Sequence, residues 1–173
     1  YGIYVANYGG PTRFYEKDGN EIIDKASKLG IDKITGGRAV ISGNILSGRS
    51  DIFAANERGE NFLYFNNNGK FVEIAKDYAV DDIFQNGRGT SLSDIYYRGR
   101  LDIVTSNWEG PHRVFVLKNN KFIDIANESF RAPSRIRTVI SADFDNDGYD
   151  EVFLNNIGEP NKLFKILDNG EFK

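Results

Sequence analysis

The chain has 173 residues, with 22 Lys and Arg against 25 Asp and Glu, a formal net charge of -3, and 40% apolar and 27% charged residues. This is a globular composition without the basic excess of a protein that neutralises nucleic-acid phosphates, and no apolar run approaches the roughly 20 residues needed to cross a bilayer. With no Cys, disulfides, thiol nucleophiles and zinc-thiolate centres are excluded, and a single His argues against a multi-His metal site or a His-based triad.

The opening Tyr1-Gly2-Ile3-Tyr4-Val5 has neither Met nor a basic-then-apolar leader and reads as an excised or processed piece. From there on, short runs rich in Ile, Val, Phe and Tyr are punctuated by Gly and Asn, 18 of each, the pattern of many short strands. A segment ending in Asn recurs about every 50 residues: Ile3-Tyr4-Val5-Ala6-Asn7, Ile52-Phe53-Ala54-Ala55-Asn56, Ile103-Val104-Thr105-Ser106-Asn107 and Val152-Phe153-Leu154-Asn155-Asn156. The next strand in each unit lies near Phe14, Leu63, Val114 and Leu163, followed by hairpin turns such as Lys17-Asp18-Gly19-Asn20, Asn67-Asn68-Gly69-Lys70 and Leu167-Asp168-Asn169-Gly170. Ala26, Ala75 and Ala126 follow the fourth strands, and Arg38, Arg88 and Arg137 precede the first strands of the next units, all in the same step. Helix is minor, with one turn expected within Asp24 to Leu29.

A repeated four-stranded antiparallel unit of this length is what a β-propeller blade looks like, because neighbouring blades bury each other's faces. The alternative is a β-sandwich or barrel with accidental similarity. The units run approximately 1–36, 37–86, 87–135 and 136–173, giving an all-β propeller segment of about four blades and about 15 strands. The first blade lacks its inner strand. We therefore expect either part of a larger propeller or a ring completed by another copy, with exposed edges until that happens.

One loop carries distinct chemistry: Asp143-Phe144-Asp145-Asn146-Asp147-Gly148-Tyr149-Asp150-Glu151. Carboxylates at relative positions 1, 3, 5 and 9 with Gly at 6 are how a short loop wraps oxygen ligands around a hard cation, and this density favours Ca²⁺ over Mg²⁺. Asp143, Asp145, Asp147, the Tyr149 carbonyl and Glu151 are the expected ligands, and Asp150 is expected to point away. An EF-hand would need an acid at position 12, which is Leu154. The plain alternative is a solvated Asp/Asn/Gly turn. In the third unit Arg98 takes position 5, and its guanidinium is expected to replace the ion and pair with Asp94 and Asp102; the second unit keeps only Asp51. No metal is expected in either.

The Asp143–Glu151 run and the Val-Phe that follows it, Val5-Ala6-Asn7-Tyr8-Gly9-Gly10-Pro11-Thr12-Arg13-Phe14 and Gly87-Arg88-Gly89 resemble the FG-GAP/VCBS repeat family, most of all its cartilage acidic protein (ASPIC/UnbV-associated) branch and more distantly the integrin α-subunit propellers. The resemblance spans essentially all of the chain. It implies a propeller of seven or so blades, secreted or surface-exposed (extracellular, cell-surface or periplasmic), holding structural Ca²⁺ in these loops and serving adhesion or ligand binding. Glu151 departs from the family's usual Asp.

Strand alternation puts the calcium loop on one propeller face and the loops after the second strands on the other. That second face carries Tyr8, Trp108, the only Trp, and His112, the only His, as a possible ligand face. Trp108 as inter-blade packing is the competing reading, and the three arginines are expected to bond blade-linking carbonyls or acids. The function expected is a non-enzymatic Ca²⁺-stabilised module binding an unidentified protein or glycan, with no nucleic acid and no membrane span. The alternatives are an assembly scaffold, a homo-oligomer whose copies complete a ring, or a carbohydrate-active enzyme using paired carboxylates.

Overall fold

The computed structural model describes residues 1–167 and 171–173 and is all-β, with antiparallel pairing throughout the sheets. In chain order, β1 (Gly2–Val5), the short corner strand β2 (Tyr8–Pro11), β3 (Arg13–Asp18) and β4 (Glu21–Asp24) lead into a one-turn helix α1 (Ala26–Leu29). The second blade is β5 (Ile34–Gly43), β6 (Asp51–Asn56), β7 (Phe62–Asn67) and β8 (Lys70–Glu73). The third is β9 (Gly87–Ser93), β10 (Asp102–Asn107), β11 (Arg113–Lys118) and β12 (Lys121–Asp124), followed by α2 (Glu128–Arg131). The last contains β13 (Ile136–Ala142), β14 (Glu151–Asn156) and β15 (Lys162–Phe164). A bridge between Ile166 and Phe172 brings the chain end back beside β15, and the turn expected at Leu167–Gly170 falls mostly outside the described residues.

The sheets are ordered β1-β3-β4, β5-β6-β7-β8 with β2 laid against β5, β9-β10-β11-β12, and β13-β14-β15. This is the propeller-like series of blades expected, with the first inner strand absent. The second strands β6 and β10 are buried along their whole length, whereas β1, which occupies their position, has Gly2 and Ile3 exposed, Ile3 at 66%.

Blade packing explains the strand patterns. Among the described residues three apolar clusters lie between consecutive blades, and the second strands β6 and β10 each feed two of them: in β6, Ile52 and Ala54 turn toward the first blade, while Phe53 and Ala55 turn toward the third. Period-2 alternation with both faces covered makes such a strand read as a continuous apolar run. Each fully buried Phe or Leu here contributes roughly 1.5–3 kcal/mol of transfer free energy. Two glycines allow close backbone approach. Within the second blade a Cβ on Gly36 would lie 1.8 Å from the Glu57 carbonyl oxygen, and between blades one on Gly89 would lie 2.8 Å from the backbone of Thr138 and Val139 on the next inner strand.

The repeated polar residues are locks. The Asn that ends each second strand donates from Nδ2 to the carbonyl four residues on: Asn7 to Pro11, Asn56 to Glu60 and Asn107 to Pro111 at 2.7 Å, and Asn156 to Pro160 at 2.8 Å. The acid ending each fourth strand accepts two backbone N–H groups through one oxygen. Asp24 takes Phe14 and Ala26, Glu73 takes Leu63 and Ala75, and Asp124 takes Val114 and Ala126. The alanine of each set is buried beneath this turn, which leaves no room for a larger side chain.

His112 belongs to these locks and not to a ligand face, correcting the expectation for that residue. It is fully buried. Its Nδ1 accepts the Asn107 N–H at 3.2 Å, so Nε2–H faces Ser134 Oγ at 3.0 Å, and that hydroxyl in turn donates to Asn156 Oδ1 in the next blade at 2.8 Å. Asn61 and Asn161 accept the equivalent N–H groups of Asn56 and Asn156. Burial lowers the His112 pKa from 6.5 to about 4. The unfolded chain therefore binds this proton first as pH falls, so the stability associated with neutral His112 is complete above about pH 6.5 and is lost progressively toward pH 4, on the order of 3 kcal/mol. His112→Asn, which supplies the acceptor the sister blades use, is expected to flatten this part of the stability-versus-pH curve in urea unfolding; an unchanged slope would assign it to other groups.

Candidate metal loop and the opposite face

The loop between β13 and β14 closes on its own backbone. Asp143 accepts the N–H of Asp147 and of Gly148 through its two oxygens at 3.0 and 2.9 Å, and Asp147 Oδ1 accepts Tyr149 N–H at 3.0 Å. Gly148 sits at φ 93°, a region that L side chains rarely adopt, which allows the tight turn. The neighbouring blade clasps the outer side of the loop. Tyr97 packs edge-to-face on Tyr149 at 4.3 Å and its hydroxyl accepts Asp150 N–H, while Ser93 Oγ donates to Asp150 Oδ2. Asp150 is thus turned away from the loop interior, as its position in the motif requires.

Asp143, Asp145 and Glu151 each place an oxygen within 4.8 Å of the others. Glu151 is buried at the end of the β13–β14 ladder opposite Ala142; its Oε2 accepts Phe144 N–H at 2.9 Å, and its Oε1 is buried with no hydrogen-bond partner. The Lys165 ammonium lies among these groups, bonded to Asp145 at 2.7 Å and to Asp147, and 3.8 Å from Glu151 Oε1. Asp145 and Asp147 hold the Lys165 pKa well above its ordinary value, and Lys165 lowers that of Asp147. The donor set therefore fits a hard divalent cation: several carboxylate oxygens converge, one of them orphaned, around a spot that a positive group already favours. Lys165 was not singled out from the sequence, because only the pairing of β15 with β14 brings it over the loop.

The sister loops satisfy the equivalent buried acid without an ion. Asp51, opposite Gly43, accepts the N–H groups of Leu46, Ser47 and Asn66 at 2.7, 2.9 and 2.8 Å. Asp102, opposite Ser93, takes both its oxygens to one guanidinium nitrogen of Arg98 at 3.1 Å. Burial raises the Asp102 pKa against the pull of Arg98. The predicted second partner is corrected: Asp94 binds the backbone N–H of Arg98 and Gly99 and not the guanidinium, which turns to Asp102 and lies 5.0 Å from the Tyr96 ring centroid.

On the opposite face Tyr8 is 52% exposed and Trp108 is half-buried. Neither stands alone. Arg38 lies over Tyr8, Arg88 and Arg137 both lie against Trp108, and Glu57 binds Arg38 and Arg88. The arginines thus meet one acid and two aromatic rings, where carbonyls or acids alone were expected.

Residues 94–154, from the Arg98 loop to the middle of β14, match the model of the FG-GAP-like repeat. Over 96% of its length the chain is 44% identical to cartilage acidic protein 1 of Xenopus tropicalis, 43% to that of Homo sapiens and 44% to that of Mus musculus. It spans 29% of the length of each of these curated relatives. The resemblance read from the sequence therefore holds in two parts: residues 94–154 carry an FG-GAP-like repeat, and nearly the whole chain is similar to a segment of cartilage acidic protein 1.

Proposed function

We propose that residues 1–173 are a segment of a non-enzymatic, extracellular or surface-exposed β-propeller that binds a protein or glycan on its corner-loop face and is stabilised by Ca²⁺ in the loop from Asp143 to Glu151. The observation that carries the metal reading is the orphaned, buried Glu151 Oε1 beside Asp143 and Asp145, with Lys165 as its nearest positive group. Asp147 and the Tyr149 carbonyl complete the proposed shell. A bound ion would stabilise the fold by linkage, since the unfolded chain has no such convergence of oxygens. The repeat match and the similarity to proteins named cartilage acidic protein 1 support an adhesion or matrix-type role and an extracellular location. A second reading, assembly with another copy or with further blades, is favoured by the exposed Ile140 and Leu163 on the last blade.

Thermal unfolding with and without millimolar Ca²⁺ tests the loop. The wild type is expected to melt higher with Ca²⁺, by about 2.7 kcal/mol of added stability at a hundredfold excess over Kd, and Asp145→Ala is expected to lose that response. Lys165→Met removes the resident ammonium, so it should melt lower than wild type without metal yet gain more from Ca²⁺. A Lys165→Met protein with the wild-type Ca²⁺ response, or an Asp145→Ala protein that keeps its response, counts against this loop as the site. Light scattering on the same samples reads the assembly alternative, for which a mass of two or more chains is the expected result.

A further inference from the structure

The corner residues and the arginines that open the inner strands make one unbroken row across the propeller mouth. The Arg38 guanidinium carbon lies 3.8 Å from the Tyr8 ring centroid, and its Nε is 2.6 Å from Glu57 Oε2. The same carboxylate oxygen takes Arg88 at 3.0 Å. The guanidinium carbons of Arg88 and Arg137 lie 4.9 and 4.7 Å from the Trp108 centroid. Every link but Arg38–Glu57 and Arg88–Trp108 joins one blade to the next, so part of this row is structural.

Charge does not balance along it. Of its three guanidinium groups two share the single Glu57 carboxylate and the third, that of Arg137, has none among the described residues, while the acid next to Trp108, Glu109, is taken by Arg135 at 3.0 Å. Arg88, with a side chain 11% exposed, has a buried Nε without a hydrogen-bond partner among the described residues. Burial and the like charges of Arg38 and Arg137 disfavour its ionised form. Arginine does not deprotonate in proteins, so a mouth of this kind lowers its energy by gaining an anion. Arg137 is exposed, and no carboxylate pairs with it among the described residues. Its planar fork is free to take two oxygens of a sulfate or carboxylate.

We propose that this row binds a polyanionic glycan, with sulfate or carboxylate groups seated on Arg137 and Arg88 beside Trp108 and on Arg38 beside Tyr8. The proposal rests on the reading of this face as the ligand-binding one and gives that ligand a class. A linear chain suits the site better than a single small anion, because the guanidinium groups are distributed over three blades and alternate with the flat surfaces of Tyr8, which is exposed, and Trp108.

The test is calorimetric titration with a heparin-derived oligosaccharide, with a poly-glutamate peptide of similar charge and a neutral oligosaccharide as comparison probes. The wild type is expected to bind the sulfated probe with an affinity that falls as salt rises. Arg137→Ala should weaken it by about tenfold, with Arg137→Lys intermediate because it keeps the charge but loses the fork. Arg137 is exposed, so a thermal melt should show Arg137→Ala still folded, with only the small drop that loss of its contact with Trp108 brings. Lys121→Ala, which removes an exposed cation outside the row, should bind the probe normally. Binding of poly-glutamate in preference to the sulfated probe would overturn the glycan in favour of an acidic peptide. Capture of the neutral sugar alone would preserve a ligand face while overturning its anionic character. No binding, or binding indifferent to Arg137→Ala, would leave the row as an inter-blade staple only.

Discussion

Burial of one blade against the next is the constraint on which the rest of this molecule depends. A strand of three to ten residues cannot hold a sheet alone, and each sheet here has two faces to cover. The second strands meet the demand by sending alternate side chains into two cores, as Ile52 and Phe53 do. Close approach of the inner strands at Gly89, and the Asn and acid locks that hold each corner, keep the faces in register.

The same packing forces an acid into the interior of three blades, at Asp51, Asp102 and Glu151, and each blade satisfies it differently. Backbone amides suffice in the second blade and a guanidinium serves in the third. The fourth leaves an oxygen unpaired and gathers further carboxylates around it, with only a flexible ammonium at hand. One buried charge thus has three kinds of surroundings, and the fourth blade's is the one for which a divalent ion is proposed. There a bound ion would have to displace or share the carboxylates with the tethered ammonium of Lys165.

At the other end of the strands, the inner-strand arginines do two kinds of work. They tie the corner of one blade to the opening of the next through Tyr8, Glu57 and Trp108, and they concentrate positive charge where the overall chain is slightly acidic. Carboxylates thus gather in the loop before β14, and the row of guanidinium groups lies at the corners, at the other ends of the strands.

Local signals in the sequence were enough to determine the repeat and the antiparallel strands, because a strand's period and its terminal Asn are properties of a few consecutive residues. They also determined which loop gathers carboxylates, since Asp143, Asp145, Asp147 and Glu151 lie within nine residues. What the lone His does was not legible, because its partners Asn107, Ser134 and Asn156 converge only when two blades dock. Nor was Lys165 over the loop, or the alternation of Tyr8, Arg38, Glu57, Arg88, Trp108 and Arg137, which are spread over about 130 residues of sequence and meet through packing. Periodicity encodes which face a side chain takes within its own strand; only the docking of blades decides which distant charge or ring it meets there.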